Sequence, residues 1–278
     1  MINDCTPLKP ELGQVWTPSN IAEEMAREAL QFHQYAKRIL DPSCGPATFS
    51  IALHQAGARG IELTCYDIDK RMEKETSNKN RELGLNGKTV NKDYLADQFM
   101  SNMFDIIIMN PPYIRHELIQ KHLKDSYHKF LFQYLDDVID KRSNIFALFM
   151  LKGIVDLAPN GILCAIVYDA ITQSGYGKKT ITILNRHAEL LISRSIKAPF
   201  DDVIVDAQIL IYRKRENPLP KLELLTETYH DSLVPLDDLL QVRRGTALPK
   251  RRAYLASPTD PYYNKSSPFF VKQSTLDG

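Results

Sequence analysis

The sequence predicts an α/β protein with a mostly parallel sheet and helices on both faces, and three observations carry that prediction. Apolar runs of strand length alternate with charged stretches of helical periodicity from Arg38 to Val167. The connections between them are short, as expected where each strand hands over to a helix that crosses back over the sheet. One run, Phe104-Asp105-Ile106-Ile107-Ile108-Met109, is apolar at nearly every position, the pattern of a strand buried on both faces. Ligands in such sheets sit beyond the carboxyl ends of the strands, so the residues after each run are the candidates for chemistry.

The first expected element is a helix from Asn20 to Tyr35. Ile21, Met25, Ala29, Leu30 and Phe32 recur there mostly at helical spacing, behind the start signal Pro18-Ser19. Strand-like Arg38-Ile39-Leu40 turns into a helix over Ala47 to Ala56, Ile61 to Ile68 forms a second strand, and a charged helix follows from Lys70 to Leu83. A short third strand lies around Thr89-Val90, and the fourth is the buried run ending at Met109. Ile114 to Lys141 carries charge and aromatics at helical spacing, which predicts helices over the edge of the site. A core helix from Asn144 to Leu157 ends at the turn signal Pro159-Asn160-Gly161, which opens a fifth strand from Ile162 to Val167. A loop containing Gly175 and Gly177 leads to a helix near Lys178 to His187, and the runs Leu190 to Ile196 and Val203 to Tyr212 close the sheet as a pair. Past Pro218-Leu219-Pro220 the alternation stops, and from Pro235 the composition shifts to Pro, Ser, Tyr and Arg, so 1–234 reads as one domain and 235–278 as the start of another.

With 278 residues, 44% of them hydrophobic, the chain can bury a large core, which excludes disordered and fibrous classes. No apolar run reaches bilayer-spanning length, and Met1-Ile2-Asn3-Asp4-Cys5 lacks the basic start and apolar centre of a signal peptide. The expectation is a cytoplasmic protein without a membrane partner. Cys5, Cys44, Cys65 and Cys164 form no Cys-x-x-Cys pair, and His116, His122 and His128 stand without a clear ligand cluster, so no metal site is expected. A net charge of +1 carries no global argument about nucleic acid. Arg213-Lys214-Arg215, Arg243-Arg244 and Lys250-Arg251-Arg252 do gather basic charge toward the C-terminus, as a phosphate-contacting face or as ordinary solvated surface.

The strongest local motif is Asn110-Pro111-Pro112-Tyr113, directly after the buried fourth strand. Adenine's exocyclic amine is a poor nucleophile because its lone pair is delocalised into the ring. An Asn side-chain oxygen and a neighbouring backbone carbonyl can draw that pair out by accepting both amine hydrogens, while the prolines stiffen the loop and Tyr113 stacks on the base. An ordinary Pro-Pro turn with a surface tyrosine is the competing explanation. Asp41-Pro42-Ser43-Cys44-Gly45-Pro46-Ala47-Thr48-Phe49 is a strand-to-helix turn of small residues that lets the backbone approach a ligand, or that merely links its two elements. In Cys65-Tyr66-Asp67-Ile68-Asp69, Asp67 ends the second strand, where its carboxylate can accept both ribose hydroxyls of an adenosyl group; a solvated acid opening a helix fits equally. Asp93-Tyr94 follows the third strand, as an acceptor for an adenine amine with a ring beside it or as a plain turn.

In this order and at these strand ends, the motifs resemble the gamma class of N6-adenine DNA methyltransferases of bacterial restriction-modification systems, and the resemblance covers nearly the whole chain. Gly13-Gln14-Val15-Trp16-Thr17-Pro18 is similar to that class's N-terminal cofactor motif. The resemblance therefore implies an S-adenosylmethionine site made by Trp16, Thr17, Pro18, Asp41, Ser43, Cys44, Gly45, Asp67, Ile68, Asp93 and Tyr94. It implies a Rossmann-like methyltransferase sheet of seven strands with the last one antiparallel. It also implies catalysis by Asn110, Pro111, Pro112 and Tyr113 on an adenine flipped out of double-stranded DNA, with Tyr176 of Ser174-Gly175-Tyr176-Gly177 covering the other face of the base. Gln241-Val242-Arg243-Arg244-Gly245-Thr246 resembles the passage into a target-recognition domain, which normally needs far more residues than remain, so a truncated chain is expected. A restriction or specificity subunit, or the missing recognition domain, is the implied partner.

Ala47 after Pro46 departs from the second glycine common in the family's turn, which puts close approach to the methionine end of the cofactor in doubt. Two other functions compete. The glutamine methyltransferases of release factors share an Asn-Pro-Pro-Tyr loop, but they carry a helical domain before the cofactor turn and fit Thr17-Pro18 less well. A non-catalytic DNA-binding subunit with the same fold would explain Pro46-Ala47 but not the intact Asn110-Pro111-Pro112-Tyr113.

Overall fold

The computed structural model describes residues 13–220 apart from 98, 99, 115, 138, 201 and 202. The chain divides into two compact units, Met1–Lys221 and Leu222–Gly278, and every described residue belongs to the first. The segment 235–278, the motif from Gln241 to Thr246 and the basic clusters at Arg243 and Lys250 lie outside the described residues.

The first strands and helices alternate as α1 (Ser19–Phe32), β1 (Arg38–Asp41), α2 (Thr48–Gln55), β2 (Glu62–Asp67), α3 (Lys70–Glu82), β3 (Asn86–Asn91) and β4 (Phe104–Met109). They continue through α4 (Lys121–Leu135), α5 (Ile145–Asp156), β5 (Leu157–Tyr168), α6 (Ala170–Gln173), α7 (Gly175–His187), β6 (Ala188–Ile196) and β7 (Ala207–Lys214). The strands form one seven-stranded sheet in the order β3-β2-β1-β4-β5-β7-β6. All neighbouring pairs from β3 to β5 are parallel, and β7 runs antiparallel to both β5 and β6. The strand order reverses between β1 and β4, the point at which such sheets open a crevice at their carboxyl ends.

Alternation along the central strands builds two cores. Leu40, Ile107, Met109, Leu163, Ala165 and Val167 face α4, α5 and α7, whereas Ile39, Ile106, Ile108, Ile162, Cys164 and Ile166 face α1 and α2. Every residue of α5 is buried, including Lys152 and Asp156, which form a salt bridge of 2.7 Å. Among the described residues no helix is long and apolar enough to cross a membrane.

Three expectations about elements are corrected. Gly175 and Gly177 are the first turn of α7 rather than a loop, because Ser174 caps that helix by accepting the Gly177 N–H at 3.1 Å. Gly177 has no room for a side chain, since a Cβ there would lie 2.2 Å from the Ile171 carbonyl oxygen. The turn at Pro159-Asn160-Gly161 does not precede β5 but loops out within it: Leu157 pairs with Phe104 before the turn and Ile162 with Ile106 after it. Finally, the last strand starts at Ala207 rather than Val203. Lys214, read as part of a basic cluster, reaches inward, its ammonium donating to the carbonyls of Val155 at 3.0 Å and Leu157 at 2.6 Å at the end of α5.

Candidate active site

The turn from β1 into α2 needs two left-handed residues, Gly45 at φ +50° and Ala47 at φ +66°. Gly45 has a second reason to be glycine: a Cβ would lie 2.9 Å from the Trp16 ring. Ala47 takes the left-handed conformation despite its methyl, at a penalty of roughly 1–2 kcal/mol. The turn is tied to β2 and α3. Gly45 N–H donates to Asp67 Oδ2 at 3.0 Å, Asp69 N–H donates to Asp67 Oδ1 at 2.8 Å, and the Thr76 hydroxyl donates to the Gly45 carbonyl at 2.8 Å. Burial raises the Asp67 carboxyl, and those backbone N–H groups partly offset it.

The ends of β1 to β4 converge on a cavity of about 420 Å³, a volume suited to a small-molecule cofactor. Trp16, Thr17, Ser43, Cys44, Gly45, Asp67, Ile68, Asp93 and Tyr94 all line it. Ile68 keeps 48% of its surface exposed, an apolar face presented to the cavity. Tyr94 is held from behind: its hydroxyl donates to Asp156 Oδ2 at 2.8 Å while the Lys152 ammonium stands 4.2 Å from its ring centre. Burial lowers the Lys152 pKa.

Asp41 and Pro18 do not line the cavity. Asp41 is 0% exposed, accepts Ser43 N–H at 3.1 Å through Oδ1, and leaves Oδ2 without a hydrogen-bond partner among the described residues. It shapes the turn, and burial pushes its carboxyl up to about 8. Pro18 precedes α1, its carbonyl accepting the Ala22 N–H at 3.0 Å. The opposite wall consists of Leu118, Ile119, Leu123 and Tyr127, with Ile145 and Phe149 of α5. The sequence places helices from this segment over the edge of the site, but helical periodicity does not tell which of their side chains line it, so these residues were not singled out.

The Asn110 side chain is locked by its nitrogen, which donates to the Val15 carbonyl and to Thr17 Oγ1, both at 2.9 Å. Two acceptors on the nitrogen fix the amide so that the oxygen is the accepting end. The Ser43 hydroxyl donates to the Asn110 backbone carbonyl at 3.0 Å, and Tyr113 N–H donates to Gly13 O at 3.1 Å. Gly13 packs too tightly for a side chain, as a Cβ would sit 2.7 Å from Tyr113 N. The Tyr113 hydroxyl lies 3.0 Å from both Asn110 Oδ1 and the Ile166 carbonyl, one proton between two acceptors.

Asn110, Pro111 and Pro112 line the cavity, but Tyr113 does not. Its ring is stacked on Tyr168 with centres 3.5 Å apart and planes 6° from parallel. Phe146 and Phe200 lie 6.0 and 6.3 Å away. Burial raises the Tyr113 hydroxyl well above its ordinary value, with Tyr168 adding to the shift. Tyr176, expected opposite Tyr113, instead meets Phe146 at 6.1 Å, one ring removed. Tyr168 and Phe200 were not singled out from sequence. Tyr168 ends β5, so the strand-end rule that found Asn110 could have found it, whereas Phe200 sits in the connection between β6 and β7 with no periodic signal.

The family described as Eco57I restriction-modification methylase matches residues 21–196. The type II methyltransferase M.AccI of Acinetobacter calcoaceticus is 25% identical over 275 residues, 96% of this chain and 48% of the relative. The type II methyltransferase M.HincII of Haemophilus influenzae is 28% identical over 215 residues, 75% of this chain and 38% of the relative. The chain thus spans about half or less of the relatives' length. Among solved structures, a putative class I S-adenosylmethionine-dependent methyltransferase from Listeria monocytogenes superposes with a TM-score of 0.62 at 20% identity, covering 77% of this chain and 65% of that one. The methyltransferase subunit of a type I restriction-modification system from Streptococcus thermophilus superposes with a TM-score of 0.60 at 18% identity, covering 72% and 45%.

Proposed function

The chain belongs to the Eco57I restriction-modification methylase family, and on that premise we propose that it is the catalytic part of a DNA adenine-N6 methyltransferase, the modification component of a restriction-modification system. Family and fold together imply S-adenosylmethionine as the methyl donor. The proposed acceptor is the exocyclic amine of an adenine flipped out of double-stranded DNA. The observation that carries this reading is the Asn110 amide, whose nitrogen is committed to Val15 and Thr17 so that its oxygen is held as an acceptor beside the cavity.

The cleft residues fit the cofactor. Gly45 gives the close backbone approach that a larger residue would block against Trp16, and each Asp67 oxygen accepts one backbone N–H and retains a further lone pair for a ribose hydroxyl. Ile68 offers an apolar face to the adenine ring, and Asp93 an acceptor for its amine. When bound, S-adenosylmethionine supplies a methyl group activated by a sulfonium. Asn110 Oδ1 and the Pro111 carbonyl then accept the two hydrogens of the target amine, which turns its lone pair out of the ring and toward the methyl. Tyr113 contributes a stacking face once its ring parts from Tyr168. Residues 1–234 are the catalytic domain in this reading and 235–278 the beginning of target recognition, with DNA in the cytoplasm as substrate and the rest of a recognition domain or another subunit as partner.

The test is calorimetric binding of S-adenosylmethionine to the chain with Asp67→Ala as the control, followed by transfer of labelled methyl to duplex DNA and mass spectrometry of the nucleosides. Binding that needs Asp67 and label on adenine N6 is the expected result. Label on cytosine, or on release factor instead of DNA, overturns the adenine assignment.

A further inference from the structure

Tyr127 reaches the cofactor cavity from the side opposite the strand ends. It lies within α4, is 4% exposed, and lines the cavity beside Leu118, Ile119 and Leu123. Its hydroxyl donates to Asp93 Oδ2, while Asp93 Oδ1 accepts Leu95 N–H at 2.9 Å. The carboxylate is therefore gripped at both oxygens, once by the turn after β3 and once by the helix across the cavity. Burial, together with the contact to Asp93, raises the Tyr127 hydroxyl, so it remains a donor through the neutral range.

Two donors on one carboxylate have a chemical consequence. They fix its plane, and the lone pairs left over can only accept. An edge of a ligand that donates, such as an amine, is matched; one that presents a carbonyl is opposed. Without the hydroxyl, Asp93 loses one of its two anchors and can turn, so its acceptor edge no longer stays aimed at the amine.

We propose that Tyr127 is a positioning residue that holds Asp93 as the reader of the 6-amino group of the cofactor's purine, so that α4 takes part in selecting an adenosyl over an inosyl ligand. The inference rests on the S-adenosylmethionine reading of the cleft.

The experiment is calorimetry with S-adenosylhomocysteine and S-inosylhomocysteine, which differ only along that edge of the purine, a 6-amino group beside an accepting N1 in one and a 6-carbonyl beside an N1–H in the other. The wild-type chain is expected to prefer the adenosyl ligand, and Tyr127→Phe to lower that preference by about tenfold, the scale of one hydrogen bond to a charged group. Leu123→Ala, which removes only apolar wall, should weaken both ligands alike and keep the ratio. Asp93→Asn should collapse the preference too, and adding Tyr127→Phe to it should change nothing further. A Tyr127→Phe chain that keeps the wild-type ratio overturns the proposal, as does an Asp93→Asn chain that keeps it. If the wild-type chain binds neither ligand, the cofactor reading itself falls and takes this inference with it.

Discussion

Around Asp67 the ends of β1, β2 and β3 frame an open cavity, edged by carboxylates and by small residues of the turn. Around Tyr113 the ends of β4 and β5 are filled by the protein's own rings, with Tyr113 against Tyr168 at 3.5 Å and Phe146 and Phe200 beside them. The first region is shaped largely by main chain that several elements hold in place. The second is shaped by side chains that can rotate. On the function proposed above, the cofactor half is prepared in advance, whereas the half that would receive the base exchanges one aromatic contact for another. The near face-to-face pair at Tyr113 is a less favourable arrangement than an offset stack.

Asn110 is where the comparison breaks most severely, because its nitrogen holds the Val15–Thr17 wall of the cavity while its oxygen accepts the Tyr113 hydroxyl of the filled region. Asn110→Ala is expected to cut single-turnover methyl transfer by roughly 10²–10³-fold, with a far smaller loss of cofactor affinity in calorimetry. Equal losses in both would leave the residue with a wall function alone. Asp67→Ala acts on the open half only and should reduce S-adenosylmethionine affinity by about 1.5–3 kcal/mol. The single tryptophan, Trp16, lines the same cavity and supplies a fluorescence readout.

The filled half is sharpened by Tyr113. Tyr113→Ala should lower base binding by roughly 1–3 kcal/mol, and Tyr113→Phe by much less, because stacking needs the ring and not the hydroxyl. A duplex with 2-aminopurine at the target position reports this, and equal losses for the two variants would assign the effect to the hydroxyl bonds at Asn110 and Ile166.

Outside both halves of the comparison lies a pH dependence of stability at Asp41. Its folded pKa of about 8 stands above the ordinary 3.8 because burial disfavours the charge. The stability this group contributes is complete below the ordinary value and is lost as pH rises through about 8. Asp41→Asn keeps an acceptor for Ser43 N–H and should flatten that decline in urea melts between pH 5 and pH 8. An unchanged slope would mean that the carboxyl titrates normally.

What the sequence by itself determined is the order of strands and helices, the buried β4, and the placement of Asn110, Asp67 and Asp93 at strand ends. These follow from local periodicity and from the rule that parallel sheets offer ligands their carboxyl ends. Ala47 was also flagged from the sequence, and its left-handed backbone gives the physical reason that the position favours glycine. Only the tertiary structure decided that Asp41 turns away from the cavity, that Tyr113 rests on Tyr168 while Tyr176 meets Phe146, and that Tyr127 crosses the cleft to Asp93. The reason is physical. Periodicity reports which face of an element is apolar, but the partner that a ring or hydroxyl meets 34 or 55 positions away is chosen by how the elements pack, and no local pattern encodes that choice.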